Sequence, residues 1–189
     1  MFYTKYGKPL LDKLLIVIFL PILLPLFVAV FFLLFFTQKG QIFFVQMRPG
    51  YRGKLFKIYK FKTLQDTEGT DEERATAVGR FLRKTNLDEL PQILNILKGE
   101  MSWVGPRPLL KEYLQHYNHY QQKRHNVLPG ITGIAQLQLP KEASFTEKAN
   151  LDAYYAENVS FLLDLKIILQ TFQYFLGKKK FFWKPKTEF

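Results

Sequence analysis

The chain has 189 residues, room for one domain with an appendage rather than two full domains. A formal charge of +11 and an aromatic content of 16%, with 19 Phe, point to an anionic partner: nucleic acid, an acidic membrane surface or a phosphorylated substrate. Cysteine is absent, which excludes a disulfide framework, thiolate chemistry and a cysteine-based metal site.

Leu14 to Phe36 is an uncharged run of 23 residues, long enough at about 1.5 Å per residue to cross a hydrocarbon core of about 30 Å. It does not resemble a signal peptide, because the apolar region is too long and no small-residue cleavage site follows it. A single transmembrane helix is the plain reading. Two features oppose it. Pro21 and Pro25 each remove a backbone donor near the middle of the run. Basic residues also flank both sides, Lys5, Lys8 and Lys13 before it and Lys39, Arg48, Arg52, Lys54 and Lys57 after it, whereas a spanning helix carries a one-sided excess. The expectation is a re-entrant membrane helix over residues 1–40, broken at Pro21 and Pro25, with both flanks on the cytoplasmic face of a compact domain over 41–189.

Residues 42–45 read as a short strand, Arg48 to Gly53 as a turn, and Lys54 to Lys62 as a second strand. In that strand Phe56, Ile58, Lys60 and Lys62 share one face. The lysines form either a solvated edge or a contact with a substrate phosphate. A polar loop follows, and Asp71 opens a helix with acids in its first turn and Arg80, Arg83 and Lys84 at its end, the order that complements the helix dipole. Arg80 and Arg83 are equally well read as helix-end charges.

Asp88 and Glu89 also have two readings. Thr85 or Asn86 can cap a helix, Glu89 stands at capping-box spacing from Asn86, and Pro91 suits a first turn. Alternatively, the acidic pair sits among cations that hold an anionic substrate. Gly99 ends the helix, and Pro106 and Pro108 stiffen the backbone around Arg107, whose guanidinium is then placed to take a phosphate bidentately. A carboxylate among pre-positioned cations suits phosphoryl transfer.

Leu109 to Arg124 reads as a helix, on which His116 and His119 serve surface or packing roles rather than metal binding. Pro129, Gly130 and Gly133 mark a loop able to approach a ligand closely. Ser160 caps a helix that runs to Leu176 and stops at Gly177. Phe161, Leu162, Leu165, Ile168, Leu169, Phe172, Phe175 and Leu176 form its apolar stripe, which packs on the core or on a membrane. The Lys178–Lys184 tail mixes cations with aromatics, as interfacial anchors do.

Five stretches resemble the small bacterial monotopic phosphoglycosyl transferases, the bacterial sugar transferase family. They are QMRPG (46–50), FKIYKFKTL (56–64), LRKTNLDELPQILNILKGEMSWVGPRPLL (82–110), KRHNVLPGITGIAQ (123–136) and LDAYYAENVSFLLDLKII (151–168). The resemblance implies transfer of a sugar-1-phosphate from a nucleotide diphosphate sugar, expected to be a UDP-sugar, to polyprenol (undecaprenyl) phosphate at the bacterial inner membrane. It implies a re-entrant helix, Mg²⁺, and an Asp-Glu dyad in which Asp88 is the nucleophile and a candidate metal ligand. Glu89 is the second acid, with orientation, metal assistance and proton acceptance all open. Arg83 and Arg107 match phosphate-binding positions, and Lys60 and Arg124 are further candidates. Leu24-Pro25 stands where the family often has Ser-Pro, and LQLPKEAS (137–144) replaces an Asn-Gly-Arg-Asn-like loop. The donor sugar is therefore not carried over from better-known relatives.

The fold expected is mixed α/β, helix-rich, with short strands or a β-hairpin. The rival function is a basic membrane adaptor or nucleic-acid-binding module. No nucleic-acid motif is recognisable, and a binder needs neither Asp88-Glu89 nor Pro-Arg-Pro.

Overall fold

The computed structural model describes every residue except Met1, Lys39, Lys141 and residues 178–189, so the basic-aromatic tail lies outside the described residues. The architecture is mixed α/β and helix-rich, as the sequence led us to expect. A π-helical turn over Tyr3–Gly7 leads into helix α1, Lys8–Thr37.

The expected interruption at Pro21 and Pro25 is absent, because α1 continues through both. Each proline forfeits one i→i−4 bond, which frees the carbonyls of Val17 and Pro21. Because the prolines are four apart, both losses fall on one side of the helix, and the remaining bonds carry it past them.

One face of α1 packs on the domain near each of its two ends. Lys8, Asp12 and Ile16 are buried near its start and Val30 and Leu34 near its end. Ile16 joins Phe56, Ile58, Ile96 and Met101, and Val30 and Leu34 join Ile42, Phe61 and Leu82. Away from this face, Val17, Ile18, Ile22, Leu24 and Val28 are exposed.

Strands β1 (Phe43–Pro49) and β2 (Leu55–Phe61) form the expected hairpin, antiparallel from Phe43 opposite Phe61 to Pro49 opposite Leu55. Its tip turns at Arg52 and Gly53, both at positive φ. The ring of Phe27 meets that of Phe61 at 5.1 Å, and Phe43 stacks on Phe61 at 5.7 Å, which fixes the end of α1 to the hairpin.

The single helix expected from Asp71 is two: α2, Asp71–Arg74, and α3, Ala77–Thr85. Ala75 is extended and bridges Leu64, and the Thr76 side chain then caps α3 by accepting from Gly79 N. A left-handed Asn86 (φ 56°) ends α3, 3₁₀ turns cover Leu87–Gln92, and α4 is Ile93–Leu97. Asn95, fully buried, ties α4 to the hairpin by accepting from Tyr59 N and donating to Lys57 O.

Two three-residue strands, β3 (Ser102–Val104) and β4 (Gly130–Thr132), pair in parallel where the sequence reads as loop. Their glycines serve this pairing. A Cβ on Gly130 would sit 2.1 Å from Gly105 N, and one on Gly133 2.3 Å from Gly105 O. The close approach expected at Gly130 and Gly133 is therefore backbone to backbone, not backbone to ligand. The expected helix over 109–124 is instead a pair of 3₁₀ stretches, Lys111–His116 and Gln121–Asn126. Tyr117 is extended between them, and Asn118 and Gln121 bond reciprocally, side chain to backbone N–H, to start the second.

Helices α5 (Ile134–Gln138), α6 (Phe145–Asn158) and α7 (Phe161–Phe175) complete the chain. They enclose the main core of Val104, Ile134, Leu137, Leu151, Tyr155, Leu163 and Ile167. Ser160 caps α7 by accepting from Leu163 N, and Gly177 takes positive φ beyond its end.

The orientation of α7 is inverted relative to ordinary packing. Phe161, Leu162, Leu165, Leu169, Phe172, Phe175 and Leu176 are exposed, whereas Asp164 and Gln170 are buried beside Leu163 and Ile167. Asp164 explains the inversion. Its Oδ2 accepts from Tyr3 Oη at 2.6 Å and Lys8 Nζ at 2.5 Å, and its Oδ1 from Tyr155 Oη at 2.6 Å. Both carboxylate oxygens are satisfied, and α7 is tied to the start of α1. Removing one partner of such a buried pair typically costs about 3–5 kcal/mol.

Candidate active site

Lys60 leaves β2 beside the 3₁₀ turns of Leu87–Gln92, and Arg107 approaches from the loop after β3. Between them lies the Glu89 carboxylate, only 7% exposed. Its Oε1 accepts from Lys60 Nζ and from Arg107 Nη2, each at 2.7 Å. The capping reading of Glu89 is thereby excluded: its carboxylate is engaged with two cations, and the Asn86 side chain caps nothing. Burial alone would raise the Glu89 pKa, but the charges and hydrogen bonds of Arg107 and Lys60 outweigh it and hold this group below the usual carboxylate range.

Asp88 is in the opposite state. It is half-buried, and among the described residues nothing donates a hydrogen bond to its carboxylate. Burial pushes its pKa above the ordinary aspartate value, and the charge of Glu89 adds to the rise, while Lys60, Arg107 and Arg83 partly oppose it. Two adjacent acids are thus separated in basicity by environment, one engaged and one free.

Arg83 lies close enough to influence Asp88, and its Nη2 bonds Asp71 Oδ2 at 2.9 Å on an open face. Asp71, Glu72, Ala75, Arg80 and Arg83 line a depression there. Exposed pairs of this kind are worth at most about 1 kcal/mol, so exchange of Asp71 for a phosphate costs little.

Arg124, expected at the substrate phosphate, has a different role. It is 3% exposed, and Nε, Nη1 and Nη2 all have protein acceptors. Nε and Nη2 reach Asp152 Oδ2 at 3.2 and 2.7 Å, Nη1 reaches Tyr117 Oη at 2.7 Å, and Nη2 also reaches the Arg107 carbonyl at 2.6 Å. Arg124 is a buried post that holds the Pro-Arg-Pro backbone. The loop is pinned on its other flank by Gly130 N donating to Pro106 O and Gly105 N donating to Thr132 O. Asp152, Tyr117 and Asn95 shape the site without having been singled out in the sequence. Asp152 and Asn95 lie within stretches that resemble the family and Tyr117 between two of them, but nothing local identifies Arg124 as the common partner of Asp152 and Tyr117.

No cluster of three His, Asp or Glu side chains able to hold a metal is present among the described residues. His116 packs against Tyr113 instead. The free carboxylate of Asp88 is an oxygen donor of the kind Mg²⁺ takes when most of its other ligands are phosphate oxygens and water.

The family model for bacterial sugar transferases matches residues 3–178. The chain belongs to the bacterial sugar transferase family. Within this family it is 51% identical over 136 residues to an uncharacterised sugar transferase, EpsL, of Bacillus subtilis, covering 69% of this chain and 67% of that protein. It is 40% identical over 195 residues to the UDP-glucose:undecaprenyl-phosphate glucose-1-phosphate transferase of Xanthomonas campestris, covering 94% of this chain. It is 33% identical over 159 residues to the undecaprenyl-phosphate galactose phosphotransferase of Salmonella typhimurium, covering 70% of this chain. The alignments cover 40% and 33% of those last two, longer sugar transferases.

The opposed environments of the dyad can be measured. In a carboxyl ¹³C NMR titration, Asp88 should titrate above the ordinary aspartate midpoint of about 3.9. In Glu89→Gln its midpoint should fall, since the neighbouring negative charge that raises it is lost. An unchanged or higher midpoint would contradict the electrostatic coupling.

Proposed function

We propose that this sugar transferase moves a sugar-1-phosphate from a UDP-sugar to polyprenol (undecaprenyl) phosphate through a covalent intermediate on Asp88, starting a membrane-linked glycan. The observation that carries this reading is the division within the dyad. Glu89 is consumed in holding Lys60 and Arg107, which leaves Asp88 as the accessible carboxylate beside both cations. The activities named for the relatives from Xanthomonas and Salmonella support the same class of reaction.

An Asp88 oxygen attacks the sugar-side phosphorus, and the bond from that phosphorus to the bridging oxygen breaks. The electron pair leaves with the nucleoside monophosphate, and an aspartyl phosphosugar remains. An oxygen of polyprenol phosphate then attacks the same phosphorus, which releases the Asp88 carboxylate and forms a polyprenyl diphosphate sugar. Covalent catalysis here divides one displacement into two. Lys60 and Arg107 neutralise phosphate charge in both steps, already oriented by Glu89 and by the Arg124 post. The burial that raises Asp88's pKa, with the charge of Glu89 adding to it, makes its carboxylate a more basic nucleophile. Mg²⁺ bound to the donor diphosphate and to Asp88 would supply further charge neutralisation.

The site works at the inner, cytoplasmic leaflet of the bacterial membrane. Both ends of α1 pack on one domain, and a polar domain cannot follow a helix across hydrocarbon. The exposed apolar middle of α1 enters the leaflet and the chain returns to the same side, a monotopic, re-entrant arrangement. The outward stripe of α7, joined to the start of α1 through Asp164, rests on the same membrane surface. An adaptor or nucleic-acid binder has no use for a free Asp88 beside an engaged Glu89, and no observation favours that reading.

Purified protein with Mg²⁺, polyprenol phosphate and a panel of nucleotide sugars should release nucleoside monophosphate with at least one donor. Asp88→Asn should abolish that release, and undiminished release would exclude Asp88 as the nucleophile. Topology is tested separately. Single cysteines at Thr4 and Gln41 should react with an impermeant maleimide from the same side of sealed vesicles, and labelling from opposite sides would refute the re-entrant path.

A further inference from the structure

The register of the hairpin puts an uncovered ring directly beside a cation of the site. Phe44 stands opposite Lys60 in the β1–β2 ladder, Gln46 opposite Ile58 and Arg48 opposite Phe56, so these six side chains share one face. Side chains directly opposite one another in an antiparallel pair have Cβ atoms about 5 Å apart. On the β2 half of that face Ile58 and Phe56 are buried with Ile16 and Ile96, and Lys60 reaches Glu89 at 2.7 Å. On the β1 half Phe44 is 43% exposed. Its ring joins none of the three buried clusters and, among the described residues, stacks on no other ring.

The same end of the hairpin meets the membrane helix. Phe43, next to Phe44 but on the opposite face, lies against the rings of Phe27 and Phe31 at 6.3 and 6.1 Å. Leu87 and Leu90, which bracket the dyad, pack on the cluster that contains Val30 and Leu34 of α1. Close by on α1, Phe32, Phe35 and Phe36 are exposed. The far end of the hairpin is held elsewhere, where His125 Nδ1 lies 3.3 Å from Gly50 O. Phe44 and Lys60 therefore stand where the apolar surface of α1 and the cations around the dyad come together.

We propose that Phe44 is the contact for the first isoprene unit of the lipid acceptor, beside the Lys60 ammonium that holds its phosphate. This rests on the sugar-phosphate transfer proposed above. A prenyl phosphate joins an anion to a hydrocarbon through one oxygen, so its first isoprene unit lies next to whatever cation holds the phosphate. An ammonium and an uncovered ring side by side on one face match both parts. Packing of the chain on Phe44 removes apolar surface from water at the point where the lipid leaves the membrane. A nucleobase could also stack on such a ring, but in the donor a second phosphate and a ribose separate the base from the attacked phosphorus. That separation puts the base beyond a cross-strand neighbour of Lys60, whereas the acceptor's hydrocarbon begins at its phosphate.

The test is calorimetric binding of dimethylallyl phosphate and of methyl phosphate to the full-length protein in detergent. Both probes are phosphate monoesters, and they differ by the isoprene unit. The wild type should bind dimethylallyl phosphate at least fivefold more tightly than methyl phosphate. Phe44→Ser should bring that ratio below twofold, and Phe44→Leu should retain most of it. Met47→Ser, at an exposed position on the opposite face, should keep the wild-type ratio. If Phe44→Ser fails to fold, Phe44→Gln takes its place with the same expectations. A ratio unchanged in Phe44→Ser, or near one in the wild type, would overturn the site. In transfer assays Phe44→Ser should raise the KM for polyprenol phosphate at least fivefold, while release of nucleoside monophosphate in a first turnover without acceptor stays within twofold of wild type. An equal loss in that donor step would give the ring to the nucleotide and overturn the proposal. Phe44-dependent binding of dimethylallyl phosphate by a wild type that transfers no sugar phosphate would contradict the reaction and leave the site standing. Transfer with a wild-type KM in Phe44→Ser would do the reverse.

Discussion

The site depends on one buried acceptor, the Glu89 Oε1 atom shared by Lys60 and Arg107. Three separate elements meet there: the hairpin, the 3₁₀ turns after α3 and the loop after β3. Without that carboxylate the two cations would repel one another and turn toward water. With it they hold fixed positions beside Asp88, before any phosphate arrives. Preorganisation of this kind is worth more than the same charges on flexible side chains, because nothing has to be reoriented as the reaction proceeds. Glu89 also raises the basicity of its neighbour, so one residue orients the cations and tunes the free carboxylate of Asp88.

The membrane arrangement follows from a second buried carboxylate. Asp164 takes Tyr3, Lys8 and Tyr155 as donors and thereby turns the polar side of α7 inward. The apolar side is left outside, next to the start of a helix whose middle is equally apolar and exposed. In water these surfaces would be a liability for aggregation. Against a bilayer, as proposed above, the same surfaces would be buried.

Much of this was legible in the sequence, and the misses share a cause. Alternation gave the hairpin, and Ser160 and Gly177 gave the limits of α7, because both signals are local. The apolar run located α1, but the helix starts earlier, at Lys8, and continues through the prolines that were expected to break it. The helix from Asp71 divides because Ala75 bridges Leu64, a contact that no local pattern encodes. Strands β3 and β4, at three residues each, are too short to show a period of two. At the site, Lys60, Asp88, Glu89 and Arg107 came together as motif positions. Arg124 did not join them as a phosphate ligand, since its partners Tyr117 and Asp152 lie 7 and 28 residues away and only the folded chain reveals them. The inward turn of Asp164 was hidden for the same reason.

The central claim is that Asp88, and not Glu89, becomes covalently bonded to the sugar phosphate. The most direct measurement is peptide mass spectrometry of protein quenched in acid after mixing with a turned-over nucleotide sugar and Mg²⁺, without polyprenol phosphate. The account predicts an added sugar phosphate on Asp88 that disappears when polyprenol phosphate is supplied. An adduct on Glu89, or turnover with no adduct at any time point, would contradict it.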